Sequence, residues 1–358
     1  MKLTYKDLKL IKTLALKKLD GCFSIVDNKL IYCGENNGFM SIVKATICEA
    51  PDHPDCDFNF FDSKDADKIT YFKNGCDFIF DYLNNTIIFT ADDCDGKTMF
   101  RIPSDVWIDK TDYDEMLNII DDFEYLEFQP VDLRKIETEL STIKKLAKIK
   151  NHSDSFQIDK KKLFFITDAI FISFNHNLEL KFPFDMKLDK HFDKIEVAEY
   201  PDAYAFKSVH DGIEYYSIEK SDNYLPNEAK INSVKPDKDS SHSLVIPFSE
   251  FTGFINFHKS ANKLIKNKSS WLLGDIEVKI DDDGLLLKVE NTFCCLRHII
   301  KCKTDGIKES FHIPSHYLKP IPFSGDITMT YDFENDHGII FEDKNIFVIL
   351  SKITYDKH

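Results

Sequence analysis

The sequence predicts an α+β fold: three similar domains, each with two helices packed on antiparallel sheets. Three observations predict it. A module recurs about six times, in which a short, often lysine-bearing helical segment leads into alternating hydrophobic strands joined by Asp/Asn/Gly turns. Such a unit cannot bury its own apolar face, so units must pair and stack. The chain has 358 residues, and six units taken in twos give domains of the ordinary size, about 115–125 residues each. Hydrophobic residues make up 43% and include 31 Phe, enough for a large core.

The first helical segment spans residues 4–20, where Leu8, Ile11, Ala15 and Leu19 form one apolar stripe. Strands follow in FSIVDNKLIYCG and FMSIVKATICEA, with Asp27-Asn28 and Asn37-Gly38 as turns. The second unit opens at residues 60–73 with an Asp/Ser cap and continues through CDFIFDYLNNTIIFTADDCDGKTMFRIP, with turns at Asn84-Asn85 and Asp95-Gly96. The third opens at residues 130–150, PVDLRKIETELSTIKKLAKIK, the strongest helical pattern in the chain, and continues through SFQIDKKKLFFITDAIFISFN. The fourth begins near FPFDMKLDKHFDKI (182–195) and the fifth at PFSEFTGFINFHKSANKLIKNK (247–268). The sixth pairs the opening segment FHIPSHYLKPI (311–321) with the strands of residues 325–353. The acidic stretch 104–127 and the polar stretch 232–243 act as linkers. Domain boundaries are therefore expected at 1–125, 126–235 and 236–358.

Nothing in the motifs reads as a catalytic centre, and neither an enzyme nor a cofactor or metal is expected. His312 and His316 stand four apart but have Pro314 between them and no HExxH context. Cys294, Cys295, His298 and Cys302 lie in alternating strand sequence, which sends their side chains to both faces. Asp93, Asp95 and Gly96 lack the first and last ligands of a calcium loop, so a hairpin turn is expected there and at Asp281–Gly284. No phosphate loop, dinucleotide fingerprint or nucleophile elbow occurs. The nine cysteines include no CxxC, which predicts buried reduced thiols and a reducing compartment. With no apolar signal-peptide core at the N-terminus and no membrane-length apolar run, a cytoplasmic location without membrane contact is expected.

The formal net charge is −15, which repels polyanions at long range, so any nucleic-acid contact needs a segregated basic patch. Such patches occur on the helical segments that open units one, three and five. Residues 6–18 carry five lysines against Asp7, and residues 134–150 carry six basic residues against Glu137 and Glu139. In the third segment Lys259, Lys263 and Lys266 recur at i, i+4 and i+7 on one helical face. The competing reading is an ordinary solvated face. Only Arg101, Arg134 and Arg297 are arginines among 46 basic residues, and mobile lysine charge suits loose phosphate tracking better than base readout.

With these features, the whole chain resembles the DNA polymerase sliding clamps of the three-domain bacterial beta type. The local resemblance lies in ITDAIFI (166–172), DNYLPNEAKI (222–231) and FVILSKI (347–353). In that family these stretches line an apolar pocket that takes a short peptide from polymerases and loader subunits. The resemblance places Thr167, Ala169 and Ile172 on one wall, Pro226, Lys230 and Ile231 on the linker side, and Val348 and Leu350 on the last strand. The chain departs from the family at Ala169, Ile170, Phe171 and Ser351.

The resemblance implies a homodimeric ring closed head to tail, lined by helices, that encircles double-stranded DNA without sequence preference and tethers a polymerase. Lys9, Lys12, Lys144, Lys148, Lys259, Lys263 and Lys266 are the expected DNA contacts. It also implies a loader ATPase as partner. The lysine, asparagine, isoleucine and phenylalanine bias hints at an AT-rich, phage-like genome. Two other classes stand beside this one: an open monomeric processivity factor, and a structural β-rich protein, as of a virion, with no DNA role.

Overall fold

The computed structural model describes residues 2–3, 20–26, 29–36, 39–46, 61–62, 76–81, 86–93, 96–103, 118, 122–149, 155–167, 169–187, 193–210, 213–220, 231, 235–236, 240–265, 275–290, 295–304, 309–332 and 338–351. The chain divides into two compact units, one of residues 1–133 with 191–221 and one of residues 134–190 with 222–358.

One pairing scheme occurs three times along the chain. Its first pass runs β1 (Lys2–Leu3), β2 (Asp20–Val26), β3 (Lys29–Asn36), β4 (Phe39–Thr46), β5 (Phe61–Asp62), β6 (Cys76–Asp81), β7 (Thr86–Asp93) and β8 (Gly96–Pro103). Strands β2-β3-β4 form a meander with β5 on its outer side, and β6-β7-β8 form another with β1 on its outer side.

The second pass runs β9 (Gln129–Asp132), helix α1 (Glu137–Ala147), β10 (Ser155–Ile158), β11 (Lys162–Ile166), β12 (Ile170–Asn175), β13 (Phe184–Lys187), β14 (Lys194–Tyr200), β15 (Ala203–His210) and β16 (Ile213–Lys220). Here β13 flanks β10 and β9 flanks β14. The third runs β17 (Ser241–Ile246), helix α2 (Phe248–Ile265), β18 (Asp275–Asp281), β19 (Gly284–Glu290), β20 (Cys295–Ile300), β21 (Glu309–Pro314), β22 (Ile327–Asp332), β23 (Ile339–Glu342) and β24 (Ile346–Leu350). Again β21 flanks β18 and β17 flanks β22.

Two antiparallel junctions then merge four of the six meanders into eight-stranded sheets. Strand β4 pairs with β16 in the first compact unit, and β12 with β24 in the second. The remaining two sheets keep four strands, β1-β6-β7-β8 and β20-β19-β18-β21.

The turn chemistry read from the sequence falls where the hairpins close. Val26 faces Lys29 across Asp27-Asn28, and Asn36 faces Phe39 across Asn37-Gly38. Asp93 faces Gly96, and Asp281 faces Gly284. The Asp283 N–H donates to the Asp281 carboxylate at 3.0 Å, and Gly284 adopts φ 130°, a conformation closed to L side chains.

Period-2 burial builds the core. On β22, Ile327, Met329 and Tyr331 are buried in alternation, and on β11 so are Leu163 and Phe165. Helix α1 buries Leu140, Ile143, Leu146 and Ala147 along one stripe. Full burial of a Leu or Ile side chain is worth about 1.5–3 kcal/mol.

Three opening segments differ from the expected helices. Residues 130–150 begin as β9 and one 3-10 turn (Leu133–Ile136) before the α-helix starts at Glu137. Strand β9 is an edge strand, where Pro130 costs no ladder bond while Val131 is buried opposite Ile195. Residues 184–187 in the fourth opening segment are a strand, because Phe184 and Met186 alternate into the core. Most of 311–321 is likewise strand and 3-10 turn. Phe311 and Ile313 are buried opposite Val278 and Ile276, and Pro314 stops the ladder. Residues 4–19 of the first expected helical segment and most of 60–73 fall outside the described residues; Asp20 already belongs to β2.

Candidate functional site

Two features of the second compact unit carry chemistry: basic helices and an apolar sheet face. Helix α1 places Glu137 and Glu139 in its first turn and Lys144 and Lys145 in its last, the arrangement its dipole favours. Its stripe of buried residues turns Lys144, Lys145 and Lys148 to solvent, and Arg134 and Lys135, ahead of its first turn, are exposed as well. The Thr142 hydroxyl donates to Thr138 O at 2.9 Å and lies 3.4 Å from Pro320 O, so α1 rests against the chain leaving β21.

Helix α2 is started by Asp326, whose carboxylate accepts the Phe248 N–H at 2.9 Å. It is held down by Phe251, Phe254 and Phe257, all buried. Phe251 stacks on Phe254 at 5.5 Å and meets Phe323 edge-on at 5.2 Å. That orientation leaves Lys259 exposed. Lys263 belongs to α2 by its backbone. Lys9, Lys12 and Lys266 lie outside the described residues.

The two strand stretches singled out by resemblance meet at the β12–β24 junction, where Ile170 faces Leu350 and Ile172 faces Val348. The turn before β12 is tied by Thr167. Its hydroxyl accepts the Ala169 and Ile170 N–H groups at 3.2 Å each, and the Ser351 N–H donates to Ala169 O at 3.0 Å. Ile172, Val348 and Leu350 are each 0% exposed and point to the core face. Their strand phase is the opposite of that of Phe171 and Ile349.

The opposite face carries Phe171, Ile340 and Ile349, packed with the partly buried Phe164, Phe347 and Ile231. Phe171 lies 6.1 Å from Phe164 and 6.2 Å from Phe347, ring to ring. The Lys235 ammonium sits 5.5 Å above the Phe347 ring. Ile231, named from the sequence, thus joins this face, while Pro226 and Lys230 lie outside the described residues. Phe171, Phe347 and Ile349 were missed because apolar residues occupy both phases of IFISF and FVIL, so alternation gave no sign of which face was which.

In the first compact unit the chain covers a similar face itself. Phe123 is buried with Ala198 and Ala205, and Leu126, Phe128, Tyr216 and Ile218 pack around it. Phe123 lies 5.7 Å from Phe128 and 5.8 Å from Tyr216.

The thiols were expected to be buried; among the described free cysteines Cys76 is buried and Cys302 half-buried, but Cys295 is exposed, because its place on β20 faces outward. Cys76 is buried, and burial with the neighbouring Asp77 pushes its pKa up to about 12; burial also raises Cys302. Among the described residues no group of three or more His, Cys, Asp or Glu could hold a metal ion. Nor is any helix there long and apolar enough to cross a membrane.

Solved structures with the same pairing of sheets and helices are numerous. The DNA polymerase III beta subunit of Thermotoga maritima superposes with a TM-score of 0.65 at 13% identity, over 99% of each chain. The fold is that of the bacterial beta sliding clamp. The clamp subunit of Borrelia burgdorferi matches with a TM-score of 0.66 at 10% identity, again over 99% of each chain. The Helicobacter pylori beta clamp, solved bound to a DNA ligase peptide, matches with 0.61 at 9% identity and the same coverage. No family model matches the sequence, and no curated protein does. The clamp fold is thus carried here by a sequence that shares about one residue in ten with these relatives.

Proposed function

We propose that this chain is a sliding clamp: two copies close head to tail around double-stranded DNA and tether a polymerase to its template. The observation that carries this is the thrice-repeated pairing scheme within the clamp fold. It favours three domains with the boundaries read from the sequence, 1–125, 126–235 and 236–358. In each finished junction the last strand of one domain's first meander, β4 or β12, pairs with the last strand of the next domain's second meander, β16 or β24. The two strands that lack such a partner among the described residues are β20 and β8, one from each end of the series. A second copy supplies what each needs.

The basic helices support DNA as the ligand. Lys144, Lys148 and Lys259 are exposed on α1 and α2, and Lys9, Lys12, Lys263 and Lys266 extend the same set. Such contacts screen phosphates weakly and without sequence preference, which permits sliding. Closure prevents escape, and tethering raises the polymerase's local concentration at the primer end. No catalytic step is assigned to the chain; loading falls to a separate ATPase. The protein works in the compartment where its DNA replicates, the cytoplasm in a bacterial or phage setting.

The partner-peptide surface is proposed on the face of Phe171, Phe347, Ile349 and Ile231, with Thr167 and Ala169 at its rim. The chain's own filling of the other face, by Phe123, Leu126 and Phe128 within an acidic segment, is a model for such a ligand. The Lys235 ammonium over Phe347 supplies the charge an acidic peptide would meet.

The test uses topology. Protein assembled from dissociated subunits around a nicked plasmid circle should stay on it through gel filtration and leave once the circle is cut. Equal retention on circle and line would remove the ring and favour an open binder.

A further inference from the structure

We infer that Cys22 and Cys33 form a reversible cross-strand disulfide, a redox-responsive link on the outer face of the first compact unit. Its chemistry is independent of the ring reading above.

The hairpin β2–β3 is mirrored about its turn. Gly21 faces Gly34, Cys22 faces Cys33 and Phe23 faces Tyr32 across Asp27-Asn28. No other two cysteines oppose each other in the strand pairings of the described residues. A two-residue turn is closed by a hydrogen-bonded pair, here Val26 and Lys29. The two kinds of pair alternate from there, so Cys22 and Cys33, four pairs along, are of the hydrogen-bonded kind too. Such pairs have Cα atoms about 5.5 Å apart, a common separation for a disulfide.

The register also places the pair on the outer face of its sheet. Cys33 faces Ile42, Ile42 faces Tyr216, Tyr216 faces Lys207 and Lys207 faces Glu196. Directly opposed residues share a face. At the far end of this row the Lys207 ammonium meets the Glu196 carboxylate at 2.8 Å, with the two side chains 38% and 46% exposed. The hairpin's own sequence agrees. The phase of Cys22 and Cys33 holds Asp20, Ser24, Lys29 and Glu35 beside Val26 and Ile31, whereas the other phase holds Phe23, Ile25, Leu30 and Tyr32. Core packing, the ordinary role of a free cysteine, does not account for two cysteines in the polar phase.

Reversibility follows from the kind of pair. Side chains of a hydrogen-bonded pair stand farther apart than those of its neighbours, so a bridge there pulls the strands from their preferred geometry. Strained disulfides are the readily reduced ones. Gly21 and Gly34, opposed beside the pair, leave the backbone free to give toward the bridge and back. The oxidant is a small-molecule disulfide. One cysteine thiolate attacks it and releases the first half of the reagent as a thiolate; the other then attacks the mixed disulfide and releases the second half. One S–S bond forms as one breaks, the reagent gains two electrons, and the protons lost by the cysteines pass to the released thiolates.

Asp20, Glu35 and Asp62 stand at neighbouring register positions, so an uncharged reagent suits the test. The full chain is equilibrated without air at graded ratios of 2-mercaptoethanol to its disulfide, quenched in acid, alkylated and digested with trypsin. Cleavage after Lys18, Lys29 and Lys44 puts the two cysteines on separate peptides, Leu19–Lys29 and Leu30–Lys44. Mass spectrometry should find these peptides joined at oxidising ratios, and apart and alkylated at reducing ones. The exposed Cys295 reports that the reagent has acted. Peptides still apart once Cys295 has reacted would overturn the pair, as would either peptide joined to a different cysteine. A link that persists at the most reducing ratio would overturn its reversibility.

Discussion

At the scale of single residues, strand phase decides which side chains are sealed in the core. Leu350 and Phe347 lie on the same strand, yet one is sealed in the core and the other belongs to the partly buried face. Leu350→Asp should therefore destabilise the protein by about 3–5 kcal/mol, or prevent folding, because it buries an uncompensated charge. Phe347→Asp and Ile231→Asp should leave the melting temperature nearly unchanged. Each should weaken an acidic aromatic peptide by about 2 kcal/mol, roughly thirtyfold, in a fluorescence titration. Equal peptide affinity in Phe347→Asp and the parent would contradict the assignment of the face.

His176 gives a pH prediction at the same scale. Its Nδ1 accepts the Leu178 N–H at 3.1 Å and its Nε2 donates to Asp159 O at 2.8 Å, so the folded state holds the neutral ring. Burial is the main cause that lowers its pKa from the ordinary 6.5, partly opposed by backbone carbonyls and nearby carboxylates. The unfolded state then binds the proton first. The contribution is fully present above the unfolded pKa and is lost as pH falls through it toward the folded one. Denaturant midpoints should drop between about pH 7.5 and about pH 5, and less so in His176→Gln. An identical slope in the variant would exclude the residue as a source.

At the scale of elements, much of the fold was legible in the sequence and some was hidden for identifiable reasons. The hairpins could be read because Asn37-Gly38, Asp95-Gly96 and Asp281–Gly284 stand between alternating apolar runs. Helix α2 could be read from its segment, where Lys259, Lys263 and Lys266 recur at helical spacing. Strands β9, β13 and β21 could not: each is an outer strand of four to six residues whose register is set by a distant meander rather than by its own neighbours. The basic faces were legible as charge, and the structure adds that α1 and α2 turn Lys144, Lys148 and Lys259 outward. Replacing these three by Glu should leave stability within about 0.5 kcal/mol, since exposed sites tolerate exchange. It should lower the slope of log affinity for DNA against log salt by about 0.9 for each lysine that meets a phosphate. An unchanged slope would exclude these helices from the DNA contact.

At the scale of the whole molecule, β8 and β20 are edge strands that lack a junction partner among the described residues. Long uncovered edges invite open-ended association unless a defined partner closes them. Strand β8 has eight residues, whereas β1, at the far edge of the same sheet, has two; β20 has six. The acidic remainder of the chain, net −15, discourages DNA from binding outside the basic helices. The account rests on closure by exactly two copies, and sedimentation across a range of concentrations tests it most directly. It predicts one limiting species at twice the 41.6 kDa chain mass, reached from monomer without larger forms. A monomer throughout, or a series that grows with concentration, would contradict it.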